Sequence, residues 1–181
     1  MKKTLLSTSL LTLFISCTVD AQESSADDMI NKQWVGVFGH VYFADRAKFI
    51  TGDASESSPG FGVEYGYKFN KTWSARFEIA RVNIKNSSVT DNTVSAESVG
   101  LDALYFVDQN STYIFGGYRN QNFFDTKHLM IVGAGKHWQL KDNWKITTEI
   151  GAMHDFGQPD NDIVDDVITK IGVTYTFDGI L

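Results

Sequence analysis

The sequence predicts an all-β protein: an eight-stranded antiparallel up-and-down barrel that crosses a membrane. Three observations carry this. Apolar and polar residues alternate with period two over most of the chain, the mark of strands with two distinct faces. Past the first residues no stretch of about 20 apolar residues is available for a spanning helix, and a closed barrel is the other structure that satisfies every backbone group in lipid. Both prolines, Pro59 and Pro159, are expected in loops between alternating stretches, which fits a closed sheet that keeps proline out of strand interiors.

The chain of 181 residues suits one domain. Its opening differs from the rest. Met1-Lys2-Lys3 is basic, Leu5 to Ile15 is almost wholly apolar or small, and Val19-Asp20-Ala21 presents small residues where a signal peptidase reads. This is the order of a cleaved secretory signal, and 1–21 is assigned to it. A second route is open, acylation of Cys17 within Phe14-Ile15-Ser16-Cys17, although Phe14 stands where such boxes usually carry Leu. Cys17 is the only cysteine, so cleavage after Ala21 leaves no thiol chemistry and no disulfide. Residues 22–32 are polar and aperiodic and read as a flexible lead-in; 178–181 form a short tail. The formal charge is −6, which argues against nucleic acid as a partner.

Between these ends, 33–177 divides into strands near 33–43, 60–69, 73–84, 95–106, 111–121, 127–139, 144–156 and 163–177. Each has the length of a tilted membrane strand. In the clearest, Phe61, Val63, Tyr65, Tyr67 and Phe69 share one face and Gly62, Glu64, Gly66 and Lys68 the other. Trp73, Ala75, Phe77 and Ile79 then alternate with Ser74, Arg76 and Glu78. Three connections are tight, near Asn70, Asp108-Gln109-Asn110 and Lys141-Asp142-Asn143, and they alternate with four others. The loops near 44–59 and 85–94 are rich in Ser, Thr, Asp and Gly, and the other two look short. Aromatic residues flank the tight turns: Phe69 and Trp73, Tyr105 and Tyr113, Trp138 and Trp144, with Tyr175 and Phe177 at the end. They predict a girdle at one membrane interface. Tyr42, Phe43, Phe61, Phe123, Phe124 and Phe156 predict a thinner one at the other.

Volume decides which face is inside. An eight-stranded barrel has an interior just filled by side chains. Trp73, Phe77, Tyr65, Tyr67, Tyr105, Phe115, Tyr175 and Phe177 would overfill it, so the aromatic face is assigned to lipid. The mixed face of Gly, Ser, Thr and charges is assigned to the lumen. Pairing the hairpins around their turns places Gly66 opposite Arg76, Asp102 opposite Gly116 and Glu149 opposite Gly133. It also sets Glu64 opposite Glu78, which demands cations between them. Arg76, Lys68 and Lys170 are the candidates. A lumen network of Glu64, Lys68, Arg76, Glu78, Asp102, Glu149 and Lys170 plugs the barrel. Lys136 falls on the lipid face near the girdle, where it can snorkel. In the first strand, Phe38 and His40 turn inward if Val35, Val37 and Val41 turn outward.

This pattern, with the closing Ile171-Gly172-Val173-Thr174-Tyr175-Thr176-Phe177, resembles the membrane domain of OmpA and related small outer-membrane barrels over about 33–177. The Tyr-x-Phe ending is similar to the signal read by the barrel-assembly machinery, although Asp178-Gly179-Ile180-Leu181 follows it. The resemblance implies the cell outer membrane as location and lipid and lipopolysaccharide as surroundings, with a monomeric state. It does not extend to the peptidoglycan-binding domain of full-length OmpA, so peptidoglycan anchoring is not implied. Barrel enzymes that deacylate lipid A use a His-x-Ser pair, which none of His40, His128, His137 and His154 supplies. No catalytic residue, cofactor or resident metal is therefore assigned. One arrangement, His128 opposite His154 with Asp125 and Asp155 near, offers a metal set; a polar rim among lipid headgroups is the plainer reading. Asp160, Asp162, Asp165 and Asp166 form an acidic patch without an EF-hand pattern. Three functions stay open: a structural or surface-interaction barrel, a narrow channel for small solutes, and a lipid-modifying enzyme, in that order.

Overall fold

The computed structural model describes residues 31–43, 57–86, 92–108, 111–122, 126–156 and 166–178. The signal segment, Cys17, most of the lead-in and residues 179–181 lie outside these. So do the centres of the four longer connections, with Phe123, Phe124 and Asp125.

Eight strands run in order: β1 (Lys32–Phe43), β2 (Ser57–Lys68), β3 (Trp73–Asn86), β4 (Asn92–Phe106), β5 (Thr112–Asn122), β6 (Thr126–Lys141), β7 (Trp144–Asp155) and β8 (Asp166–Asp178). Each pairs antiparallel with its sequence neighbours, and β1 closes against β8 from Lys32↔Asp178 to Phe43↔Val167. The closed ring leaves no strand edge, the condition for a sheet to stand in lipid. Pro59, expected in a loop, lies near the start of β2 opposite Val41, at the end of the strand where proline is tolerated.

The tight turns are built by short polar side chains, as turn chemistry favours. Asn70 Oδ1 accepts from the backbone N–H groups of Thr72 and Trp73 at 2.9 Å each. The Asp108 carboxylate accepts from the N–H groups of Ser111 at 2.7 Å and Thr112 at 2.8 Å. Asp142 takes a left-handed conformation (φ 41°) that closes β6 onto β7. Both barrel ends lie on this rim, where Lys32 pairs with Asp178.

The distribution of side chains is inverted relative to a water-soluble protein. Val37 is 62% exposed and Leu101 61%, while Arg76 is 1% exposed. The outer wall carries Val35, Val63, Tyr65, Phe77, Ile79, Val99, Ile114, Val132, Ile150 and Ile171, all exposed. From Phe61 to Phe69 the apolar row on β2 spans about eight steps, roughly 27 Å along the strand and about 20 Å along the barrel axis at ~40° tilt, close to the hydrocarbon-facing band of such barrels. Above Ile79 and Val99 the outer wall turns polar, with Arg81 opposite Glu97 across the β3–β4 pair. Leu101→Arg, in the middle of this band, is expected to cost about 2–4 kcal/mol. The check is the unfolding midpoint in lipid vesicles.

Aromatic residues collect at the tight-turn rim. Trp73 meets Tyr105 at 5.1 Å between ring centroids, Trp144 meets Tyr175 at 5.0 Å, and Phe69 meets Tyr67 at 5.1 Å. Phe177 stacks on Tyr175. Lys136 does face outward, with Nζ 4.2 Å over the Trp138 ring.

Two hairpins depart from the expected register. In β4–β5, Phe106 rather than Tyr105 faces Tyr113. The Asp108 cap and the Val107 N–H to Thr112 C=O bond (2.9 Å) set the turn one residue longer than aromatic pairing implied. A one-residue slip reverses the faces of a strand. Tyr113 and Phe115 therefore point into the barrel, 0% and 3% exposed, and Tyr113 is not part of the girdle. In β6–β7, a bulge between Gln139 and Lys141 shifts the pairing, so Trp138 faces Ile146 and Glu149 faces Gly135. Both tryptophans keep their outward side. Tyr42, expected at the outer girdle, is buried and donates its hydroxyl to Asp166.

A closed lumen as the candidate functional site

Alternation places one residue in two inside the barrel, and the inward set is layered. At mid-height lie the charges. Arg76 of β3 is the hub. Its Nη2 donates to Asp102 Oδ2 at 2.7 Å and to Glu149 Oε2 at 3.2 Å, and Nε reaches Asp102 Oδ2 at 3.1 Å. Nη1 also pairs with Glu149, and Glu64 lies 3.6 Å away. Arg119 of β5 donates Nη2 to Glu78 at 2.7 Å and to Asp102 at 2.8 Å. Lys170 of β8 pairs with Glu64 at 2.7 Å, with Glu149 at 3.2 Å and with Glu78. Two neutral donors complete the set: Trp34 Nε1 to Glu64 Oε1 at 3.1 Å, and the Tyr113 hydroxyl to Glu149 Oε1.

Every charged member is buried. The like-charged pair Glu64↔Glu78 is adjacent across β2–β3, with Arg76 and Lys170 between the carboxylates. Such groups in a low-dielectric interior are tolerable only when each is met by opposite charge and hydrogen bonds. The network joins strands on all sides of the ring, so it bolts the barrel across its own axis.

Glycine makes room for it. An added Cβ at Gly66 would fall inside the Trp34 indole; at Gly100 it would meet the Arg119 guanidinium, at Gly117 Asp102 and at Gly135 Tyr113. Asp102 faces Gly117 rather than Gly116, and Glu149 faces Gly135 rather than Gly133, yet the principle of a glycine across from a long side chain holds at both.

Lys68, expected in the network, sits in a different layer of the lumen. It lies lower, toward the tight turns, buried with Nζ 4.4 Å over the Phe106 ring. Around it sit Trp34, Phe106, Tyr113 and Lys145, with His137 bonded to Thr147 Oγ1 at 2.9 Å. Above the network comes an apolar cap of Val82, Leu129, Ile131 and Met153, with Ile168 against it. The lumen is thus not uniformly polar, as the sequence suggested, but an ionic layer between two layers rich in rings and aliphatic chains. Two small cavities among the described residues, one above the network and one below, measure about 20 and 10 Å³. Neither holds more than about one water.

Arg119 is not among the residues the sequence assigns to the lumen, because pairing Tyr105 with Tyr113 turns it outward. Its signal was present: in the true register it faces Gly100, two residues from Asp102. The histidine pair does not form. His154 faces Met130, and His128 faces Asn120 with its Nδ1 bonded to the Tyr118 hydroxyl. Asp155 points to the opposite side of the wall from His154 and is buried. Among the described residues no three His, Cys, Asp or Glu side chains cluster to hold a metal. Of the acidic patch, Asp166 turns inward to Tyr42, and Asp160, Asp162 and Asp165 lie outside the described residues.

A closed antiparallel sheet, apolar outside and ion-paired within, is a transmembrane β-barrel of the outer-membrane type. No family model matches the sequence, and no curated protein matches it, so the relationship shows in the fold. The N-terminal β-barrel domain of OprF from Pseudomonas aeruginosa is similar, with TM-score 0.58 and 15% identity over 82% of this chain and 98% of that one. The outer membrane protein OprG of the same organism gives 0.53 and 13% over 83% and 98%. Ail, the attachment invasion locus protein of Yersinia pestis, gives 0.52 and 16% over 82% and 100%. The chain has the fold of the small eight-stranded outer-membrane β-barrels.

Proposed function

We propose that this protein is a non-conducting, non-catalytic barrel of the cell outer membrane, with a structural or surface-interaction role. The observation that carries the reading is the plug. Arg76, Arg119 and Lys170 join four carboxylates from strands around the ring, and the cavities that border this network among the described residues measure about 20 and 10 Å³. A solute would have to separate several buried ion pairs to pass. On the outer wall, His128 bonds the Tyr118 hydroxyl and the His154 ring lies 5.8 Å from that of Phe156.

Lipid surrounds the apolar band, and lipopolysaccharide headgroups meet the outer rim at Arg81, Asn83 and His128. The Tyr175-x-Phe177 ending serves recognition by the barrel-assembly machinery, and the barrel acts as a monomer. The surface-interaction form of the proposal takes support from Ail, whose name describes attachment and invasion. The loops that would carry such a role lie outside the described residues.

Planar-bilayer recording tests the proposal. The wild-type protein at neutral pH is expected to give no unitary current steps above the bare membrane. Steady steps that respond to substitution of Arg76 or Glu78 contradict it and favour the narrow channel.

A further inference from the structure

We infer that the cavity between the ionic layer and the apolar cap is a binding site for a single water molecule, held between His40 of β1 and Gln121 of β5. His40 is 3% exposed and Gln121 1%. Neither His40 ring nitrogen, nor Gln121 Oε1, has a hydrogen-bond partner among the described residues. A buried polar group left so costs about 1–3 kcal/mol, and here three such atoms belong to two residues that border one cavity. The cavity measures about 20 Å³, and about 10–15 Å³ admits one water, which needs two to four polar partners.

The chemistry of the wall selects a neutral ligand. Lys170 and Arg119 line the cavity and repel a cation; Glu78 and Glu149 line it and repel an anion. A water donates one hydrogen to Gln121 Oε1 and the other toward Glu78. It accepts from the protonated ring nitrogen of His40. His40 is seated for this by Gly60, where any Cβ would collide with its imidazole, and by Phe38, whose ring lies 6.0 Å away between centroids. The ligand ties β1 to the far side of the ring and joins both to the charge network. The site stands whether or not the barrel conducts.

A crystal structure of the whole protein, at a resolution that shows other buried waters, tests this directly. It should show one ordered density within about 3.2 Å of a His40 nitrogen and of Gln121 Oε1. Absence of density there, or both side chains turned onto protein partners, overturns the site. A second measurement needs no crystal. His40→Leu and Gln121→Leu each strip the water of a partner, so their effects on the unfolding equilibrium constant in vesicles should fall short of additivity by about tenfold. Strict additivity of the two substitutions also overturns it.

Discussion

Arg76→Met is expected to destabilise the folded barrel by about 3–5 kcal/mol, the range for removing one partner from a buried ion pair. Met keeps an unbranched stem but ends where Arg has Nε, so the guanidinium is lost with its charge and hydrogen bonds. Asp102 and Glu149 each lose their paired bonds to the guanidinium, and Glu64 and Glu78 lose a cation that stood between them. Arg119 still reaches Asp102, and Lys170 still reaches Glu149, Glu64 and Glu78, which sets the loss toward the lower end of the range. Those two cations then face four carboxylates that three had balanced imperfectly already. Arg76→Lys should give an intermediate loss, because an ammonium cannot make the parallel bonds of the guanidinium fork. Urea unfolding in lipid vesicles, read by tryptophan emission, measures all of these; an Arg76→Met midpoint unchanged from wild type removes the network from any role in stability.

Gly66→Val should cost about 3 kcal/mol or more, although it adds only three carbons. The first of them falls within the Trp34 indole, a rigid ring that cannot step aside as a flexible tip would. Overpacking of this kind costs about 1–3 kcal/mol. Displacing Trp34 also breaks its bond to Glu64, leaving that buried carboxylate with Lys170 and the distant edge of Arg76. Gly116→Val is the control. Its side chain would point to lipid, where the first carbon meets only the Ile131 carbonyl at 3.9 Å, and an effect within about 0.5 kcal/mol is expected. Unfolding midpoints of the two variants side by side check the contrast. Equal losses would show that glycine serves the backbone at both positions rather than making room at one.

The fold was legible because alternation is a local property. Each strand shows its two faces without reference to any other, and the face that carries the charges is the one the ring closes upon, although Trp34, Tyr113 and Phe115 share that interior. The network was legible where a turn could be placed correctly. Around Asn70, whose side chain caps the turn, the register of β2 and β3 follows, and with it Glu64, Gly66, Arg76 and Glu78. Around Asp108 aromatic symmetry suggested one pairing and a side-chain cap dictated another. That single residue of slip put Tyr113 and Phe115 on lipid and hid Arg119, although an arginine facing a glycine near Asp102 was there to be weighed. Lys68 departs from the expected layer for a different reason. It shares the face of Glu64, but four residues of tilt carry it to a lower layer against Phe106. Height along the axis depends on the stagger of the whole ring, which no one hairpin reveals.

The four tryptophans offer a direct test of which wall faces which way. Trp73, Trp138 and Trp144 stand on the outer surface, while Trp34 is inside with its indole bonded to Glu64. In variants that keep one tryptophan each, reconstituted in vesicles whose acyl chains carry bromine, emission from Trp73, Trp138 and Trp144 should be quenched and that from Trp34 spared. Quenching of Trp34 with protection of the other three would turn the barrel inside out and contradict the membrane assignment.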